Sequence, residues 1–457
     1  MCKKQKFDSN KDISTVLKYH DDTLNTLKSV ASQNKLKSDE RIMRSEKTLR
    51  DLGIELPSRE ITLTEKTECK VLVMRKWDDM LADAEKSLGG KCDIESLFTE
   101  DELKQNEEAV KLLNNEFNQI YKLDKIDIAI TILAGIVGAA VDIVMVGIPE
   151  KSTEGLKAGP LSNYIREYFD KVFSKEEMSK LANSKDSKVP YDAQDNRNTT
   201  IYIQGLSSYY HRLLQLGHDP LLGFVFGVAD ILSGTMTTID KNGDIVRQVI
   251  EKYADRKEEH LFSALAKQFK HFKSDITTSM GLPVPLMSLF NLMQFGNIGD
   301  EAQTIAEIVQ GMYYEGYDFI HFCSMSVSTM LVEVIVRMGY ALKSINEGKT
   351  IKESIPVSLN REKHPKLSTM LFISHSIATA SNTGKLLFTK NPMAINYPQW
   401  INFAKYSFTQ FKWVMMDKPS LKDDYVSGKI FEEMQDVYDE INRNFEEFAK
   451  DKIIIYE

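Results

Sequence analysis

The chain has few of the residues that mark disulfide scaffolds, metal centres or nucleotide-binding loops. It contains four cysteines in 457 residues, and none of them belongs to a CxxC pair. Such scattered cysteines predict a reducing compartment and no structural zinc. The motifs GxSxG and HExxH and the Rossmann fingerprint are also missing. We therefore predict no catalytic residues, no metal ligands and no cofactor.

The charge balance excludes some partners of the chain as a whole. Charged residues make up 27% of the sequence and the formal net charge is -8. An acidic chain is not expected to coat nucleic acid or anionic lipid uniformly, although a local basic surface stays possible. No apolar segment follows the basic residues of MCKKQKFDSNKD. We therefore expect no secretory signal and a protein kept inside the cell.

Scarce glycine and proline in the first 125 residues predict long helices. A capping box formed by Thr99 and Glu102 predicts the start of a helix that continues without a break into the apolar run after residue 128. Asn242-Gly243 lies between stretches of high strand propensity and predicts a hairpin. The expected fold is an all-α, multi-helix bundle with long N-terminal helices and one minor β-hairpin.

Changes in composition predict four segments. Residues 1–125 form a charged helical or coiled-coil region, and residues 126–173 hold an apolar helix, in a membrane or a core, followed by an amphipathic one. Residues 174–200 are polar and predict an exposed linker. Residues 201–457 form a C-terminal helical body.

The least polar run of the chain is IAITILAGIVGAAVDIVMVGIP, residues 128–149, in which Asp142 is the single charged residue. About 20 apolar residues suffice to cross a bilayer as a helix. Gly135, Gly138 and Asp142 belong to a face of small residues that would allow close helix packing in a membrane oligomer. We expect Asp142 to face a pore or a neighbouring subunit. A central helix of a large soluble bundle would show the same pattern.

One region of this acidic chain contains no acidic residues. No Asp or Glu occurs between Lys363 and Met416, although lysines and aromatic residues are interleaved there. Lysines that neutralise phosphates and rings that stack on bases are typical of sites for single-stranded oligonucleotides or nucleotides. A core face with lysines reaching into water is the alternative. The predicted ligand-binding residues are Lys385, Lys390, Lys405, Lys412, Tyr397 and Trp400.

Two histidines allow a different interpretation. His211, His218 and Asp219 could belong to an HD-type metal site that activates water. Their spacing is poor for that role, and Asp219 followed by Pro220 is more typical of a helix start, with the carboxylate as the cap. We therefore expect no catalysis at these residues.

The phrases GHDPLLGFVFGVADIL, YEGYDFIHFCSMSV and FTKNPMAINYPQWINFAKYSF resemble a bacterial family similar to the membrane-channel effectors of Hailong-type anti-phage systems. The resemblance covers roughly residues 128–416. It implies a homo-oligomer at the inner membrane whose pore is controlled by a nucleic-acid ligand, with a nucleotidyltransferase as partner. The expected function is a non-enzymatic, ligand-gated membrane effector. A soluble nucleic-acid- or nucleotide-binding protein and a metal-dependent phosphohydrolase are the alternatives.

Overall fold

The computed structural model describes residues 9–54, 71–152, 155–278, 280–298, 302–450 and 452–456. Most of them are helical, which confirms the all-α fold class. The α-helices are α1 Ser9–Asp51, α2 Trp77–Leu88, α3 Glu100–Tyr121, α4 Lys125–Ala140, α5 Pro160–Val172, α6 Lys175–Asn183, α7 His211–Leu214, α8 Phe226–Ser233, α9 Leu261–Asp275, α10 Ile305–Tyr314, α11 Phe319–Asn346, α12 Ile351–Ser354, α13 Leu367–Thr389, α14 Tyr397–Lys412 and α15 Lys418–Ala449.

The described strands form three two-stranded sheets. The predicted hairpin is present, with Thr235 paired to Val249 and Ile239 paired to Ile245. The other two sheets were not predicted, because their strands are only three or four residues long and show no clear alternation. The strands are β1 Val71–Met74, β2 Glu150–Ser152, β3 Gly155–Lys157, β4 Thr235–Ile239, β5 Ile245–Val249 and β6 Ile453–Tyr456. Strands β2 and β3 are antiparallel, whereas β1 and β6 are parallel.

The helix predicted to run unbroken from Thr99 into the apolar segment is interrupted at residues 122–124. The Asp124 side chain accepts hydrogen bonds from the backbone N–H groups of Ile126 and Asp127, and Asp127 accepts one from the N–H of Asp124. This reciprocal capping box starts a new helix. The Thr99–Glu102 box is formed as expected.

The chain divides into two compact units. The first comprises residues 1–119 and 419–457, and the second comprises residues 120–418. This division joins the last helix to the N-terminal region, whereas the sequence grouped that helix with residues 201–457. Within the first unit, the Lys91 ammonium pairs with the buried Asp12, and the rings of Phe117 and Tyr425 lie 5.7 Å apart.

In the second unit, the segment 174–200 differs from the exposed linker that we expected. It contains helix α6, and its later residues Val189, Tyr191 and Ala193 are fully buried. These side chains pack with Ile231 and Ile250 in a core that includes the β-hairpin. Residues 174–186 are polar, but the short segment that follows them is apolar and completes this core.

Helices α4, α11, α13 and α14 pack against one another in the second unit and are called here the bundle. Its apolar interior contains Ala134 from α4, Val332 and Val336 from α11, Leu371 from α13 and Tyr406 from α14. At the C-terminal end of α4 the chain continues as a π-helical turn, Val141–Val146.

Candidate functional site

Apart from Lys125 in its first turn, the outer surface of α4 is apolar. Every exposed residue between 126 and 146 is Ala, Ile, Leu, Val or Met, whereas Asp127, Thr131 and Asp142 are all buried. Leu133 and Ile136 are each more than half exposed, and Val144 is 66% exposed. This helix therefore reverses the usual arrangement of a helix in water, whose outer face is polar.

Helix α11 also has an apolar outer face. Its exposed side chains at four-residue spacing are Met330, Val334, Met338 and Leu342, which form one continuous apolar row. The stretches 100–146 and 319–346 contain helices long and apolar enough to cross a membrane, a property that core helices of soluble proteins also show. Helix α13 packs against both α4 and α11 and buries Ser368, Ser374, His375, Thr379 and Asn382.

A polar network at Asp142 connects all four helices. One Asp142 carboxylate oxygen accepts a hydrogen bond from the Asn382 amide and the other accepts one from the Asn396 amide, each at 2.8 Å. The Lys385 ammonium lies 3.4 Å from the same carboxylate. Asn396 also donates to the Ser328 hydroxyl at 3.0 Å. The buried charge of Asp142 is thus fully paired, as a low-dielectric interior requires.

Further polar groups, some buried and some half-buried, continue from this network along the bundle. The Gln399 amide donates to the Thr379 hydroxyl at 3.1 Å and lies 3.1 Å from His375 Nδ1. Glu333 accepts hydrogen bonds from Arg337, at 2.7 Å, and from the Tyr406 hydroxyl. We call this set the polar seam, and its members are Asp142, Ser328, Glu333, Arg337, His375, Thr379, Asn382, Lys385, Asn396, Gln399 and Tyr406.

The two glycines predicted to allow close packing do so within one chain. A Cβ atom at Gly135 would lie 2.7 Å from the Ile377 Cβ and 2.9 Å from the Ser374 carbonyl oxygen on α13. A Cβ at Gly138 would collide with Val332 on α11. Asp142 likewise meets partners of its own chain, whereas we expected it to face a pore or a neighbouring subunit. The small face of α4 therefore builds the bundle itself.

The predicted ligand-binding residues do not form a single surface. Lys385 is engaged by Asp142 and by the Gly147 carbonyl oxygen, at 3.2 Å, and Trp400 donates its indole N–H to Asn382 at 3.1 Å. Tyr397 packs its ring against Phe290 and Phe322. The three remaining lysines are exposed and lie on different segments, with Lys390 at the end of α13 and Lys405 and Lys412 on α14.

Lys385 also borders an open cleft of about 890 Å³ on the side of the bundle. The lining of this cleft includes Lys157, Gly384 and Phe388, together with the carboxylate-bearing Glu150. Its volume is sufficient for a mononucleotide or a short segment of an oligonucleotide. The sequence did not indicate this cleft, because its walls come from segments more than 200 residues apart.

His218 and Asp219 lie outside the bundle and point in different directions. The Asp219 carboxylate accepts hydrogen bonds from the N–H groups of Leu221 and Leu222, both at 2.9 Å, as the predicted cap would. The capped segment is a turn followed by a short 3-10 helix, Leu222–Phe224, whereas we expected the start of a longer helix. His218 instead meets His211 and His271 in a buried cluster. The sequence analysis did not single out His271 as a site residue, although its four-residue spacing from Asp275 on one helix is a recognisable signal.

Comparisons with known proteins do not assign this site. No protein-family model matches the chain, no curated protein is similar to it at a significant level, and no solved structure matches it. The function has to be inferred from the chemistry of the residues themselves.

Proposed function

We propose that this protein is a non-enzymatic membrane effector of bacterial anti-phage defence, whose bundle enters the inner membrane as a homo-oligomer and forms an ion pathway. The observation that carries the proposal is the reversed polarity of the bundle, with apolar side chains outside and the polar seam inside. Large exposed apolar patches on a soluble monomer are unfavourable and mark membrane or protein interfaces.

The length of α4 and its π-helical continuation suits a bilayer. The 16-residue helix α4 continues into six residues of π-helix, and together they extend about 33 Å at about 1.5 Å per residue. The hydrocarbon core of a bilayer is about 30 Å thick. Ionisable residues at membrane depth usually face the bundle interior and are paired, as Asp142 and Lys385 are.

A pair of identical substitutions tests insertion. Ile136 is 55% exposed on the bundle and Ile201 is 50% exposed on a loop outside it. A charge at mid-membrane depth costs about 3 kcal/mol on insertion scales. Wild-type protein and Ile201→Glu are expected to stay with bacterial membranes after an alkaline carbonate wash, whereas Ile136→Glu is released. A wild-type protein in the soluble fraction, or an Ile136→Glu variant that behaves as wild type, contradicts insertion and favours a soluble protein with an apolar docking surface.

The ion pathway is tested through the charges of the seam. Asp142→Asn leaves the Lys385 charge in place, whereas Lys385→Gln leaves the Asp142 charge. In planar bilayers the reversal potential is expected to shift toward anion selectivity in the first variant and toward cation selectivity in the second. Bilayers that stay non-conducting with wild-type protein, its ligand included, contradict the pathway, as do equal shifts in the two variants.

The proposal includes control by a phosphate-rich ligand. A phosphate in the cleft would compete with Asp142 for the Lys385 ammonium and so couple binding to the polar seam. The nucleotidyltransferase partner would supply such a ligand. The test titrates the protein with a fluorescent single-stranded oligonucleotide at two salt concentrations. Each phosphate contact is expected to contribute about -0.7 to the slope of log affinity against log salt concentration.

Three variants locate the ligand. If Lys385→Gln lowers the affinity and the Lys405→Gln, Lys412→Gln double variant does not, the ligand occupies the cleft. The opposite result places it along α14, as the sequence predicted. Wild-type binding that is unaffected by salt and by all of these substitutions contradicts phosphate-dependent control.

A further inference from the structure

Five side chains with metal-ligating atoms converge in the part of the second unit that surrounds the β-hairpin. They come from three separate stretches of chain. His211 lies at the start of α7 and His218 follows it by seven residues, Asp192 belongs to the buried stretch after α6, and His271 and Asp275 lie one helical turn apart on α9. We call them the histidine cluster. Ligand atoms of Asp192, His211 and His218 lie within 4.8 Å of one another, and so do those of His218, His271 and Asp275.

One atom is common to both groups. His218 Nε2 lies 3.7 Å from an Asp192 carboxylate oxygen and 3.6 Å from an Asp275 carboxylate oxygen. His211 Nε2 lies 3.6 Å from the same oxygen of Asp192, and His271 Nε2 lies 3.5 Å from the same oxygen of Asp275. His218 Nε2 therefore lies between two pairs of donors, Asp192 with His211 and Asp275 with His271.

These separations are too long for hydrogen bonds, which require about 2.7–3.2 Å between nitrogen and oxygen. They agree instead with donors that share an ion. Two ligands about 2.1 Å from a metal in tetrahedral geometry are about 3.4 Å apart. The Nε2 atoms of all three histidines are buried and have no hydrogen-bond partner among the described residues. Buried polar atoms without partners are rare, and an absent ion is one accepted cause.

Backbone carbonyl groups around the histidine cluster hold two of the imidazole rings in the orientation that metal ligation needs. His211 Nδ1 lies 3.0 Å from the Ser208 carbonyl oxygen, and His271 Nδ1 lies 2.9 Å from the Ser187 carbonyl oxygen. A carbonyl oxygen only accepts, so each Nδ1 carries the hydrogen and each neutral ring directs its Nε2 lone pair into the cluster. Arg212 fixes Asp275 through bonds of 3.0 and 3.2 Å to its two oxygens.

We propose that His211, His218, His271, Asp192 and Asp275 bind one divalent transition-metal ion. Three nitrogen and two oxygen donors suit Zn²⁺, Fe²⁺, Mn²⁺ or Co²⁺, whereas Mg²⁺ and Ca²⁺ prefer oxygen ligands alone. The Asp192 side chain is 26% exposed, while His218 is fully buried. The ion can therefore enter from the Asp192 side. This site is independent of the proposed membrane function, since none of its residues belongs to the bundle.

The experiment uses the purified full-length protein. Elemental analysis of protein from cells grown in metal-rich medium is expected to find about one transition-metal ion per chain, and Co²⁺ added to chelator-treated protein is expected to produce visible absorption bands. Asp192→Asn and His211→Gln should each lower the Co²⁺ affinity at least tenfold, the effect typical of losing a ligand group. His260→Gln, at an exposed histidine on the same unit, is the matched control and should bind like wild type.

Two results overturn the proposal. One is wild-type protein that contains no transition metal and produces no Co²⁺ bands when Co²⁺ is added. The other is binding that Asp192→Asn and His211→Gln leave unchanged while circular dichroism shows both variants to be folded. If both variants fail to fold, amide hydrogen exchange of chelator-treated wild-type protein decides the question: slower exchange in residues 187–275 when Zn²⁺ is added supports the site, and unchanged exchange there contradicts it.

Discussion

The bundle and the region around the β-hairpin belong to one compact unit, yet they distribute polarity in opposite ways. The hairpin region buries Val189, Ile203, Ile231 and Met236 and exposes charged residues, as a protein in water does. The bundle exposes isoleucine, leucine and methionine along α4 and α11 and buries carboxylates, amides and an ammonium group. Two regions of one compact unit therefore present surfaces of different polarity.

Buried polar groups also serve the two regions differently. In the bundle, Asp142 has a donor for each carboxylate oxygen, so its network is satisfied by groups of the chain itself. Further along the polar seam, His375 Nε2 and the Gln399 amide oxygen have no hydrogen-bond partner among the described residues. In the histidine cluster, four ring nitrogens have no hydrogen-bond partner among the described residues: His211 Nε2, both nitrogens of His218, and His271 Nε2. The first arrangement links helices by hydrogen bonds, whereas the second leaves a space for a positive ion. Loss of a protein group should therefore harm the bundle most, and loss of a metal should harm the hairpin region most.

The largest effect is expected from Asp142→Leu. The change leaves the Lys385 ammonium buried without its carboxylate and leaves the Asn382 and Asn396 amides each one hydrogen bond short. Removing one partner of a buried pair costs about 3–5 kcal/mol. The free energy of unfolding in detergent, measured with denaturant, should fall by that amount. Asp244→Leu, at an exposed carboxylate of the hairpin loop, should change it by less than about 0.5 kcal/mol. Equal effects would show that the Asp142 network does not stabilise the bundle.

Metal removal should rank second and should act on the other region. A ligand at 100 times its dissociation constant stabilises a protein by about 2.7 kcal/mol. A chelator should therefore lower the melting temperature and speed amide hydrogen exchange in 187–275 more than in 325–345. Faster exchange confined to 325–345 would reverse the comparison between the two regions.

The third effect is a smaller change in stability, and it is expected to have opposite signs for alanine substitutions at two glycines of the bundle. Gly135→Ala places a methyl group against Ile377 and Ser374, and overpacking of this kind costs about 1–3 kcal/mol. Nothing lies within 4 Å of a Cβ atom at Gly384 on α13, so Gly384→Ala should stabilise the protein by up to about 1 kcal/mol. Thermal unfolding of the two variants measures the difference. Stabilisation by both substitutions would mean that α4 and α13 are less closely packed.

Lys412→Ala should have the smallest effect. The Lys412 side chain is 54% exposed and lies 3.5 Å from Asp417. Exposed ion pairs contribute about 0–1 kcal/mol. The contrast with Asp142 is informative, because both belong to ion pairs and differ chiefly in burial. A loss above 2 kcal/mol in denaturant unfolding would show that the Lys412 pair is shielded from water.

Local features of the fold could be predicted from the sequence, while the pairings across the unit could not. The caps at Thr99 and Asp219 and the hairpin at Asn242-Gly243 depend on neighbours within a few residues. Asp142 was recognised as anomalous, and the small face of α4 as a packing surface. The partners of Asp142 lie 240 and 254 residues later, in a segment whose lysines and aromatics predicted a ligand surface.

The histidine cluster shows the same limit. His211 and His218 are seven residues apart and attract attention in the sequence, but the Asp192 and Asp275 carboxylates that face them lie in segments with no shared motif. The usual ligand spacings of one or two residues are replaced by a tertiary arrangement. Only the pair His271 and Asp275, one turn apart on α9, could have been found by periodicity.

The long separation between Asp142 and its partners has a consequence during protein synthesis. A ribosome that adds about 5–20 residues per second needs roughly 10–50 s to proceed from Asp142 to Asn382 and Asn396. Throughout that interval the apolar helix α4 has emerged without the helix that will cover its small face. A chaperone would have to cover that face in the meantime or, under the proposed membrane insertion, a bilayer would do so before the rest of the protein has been made.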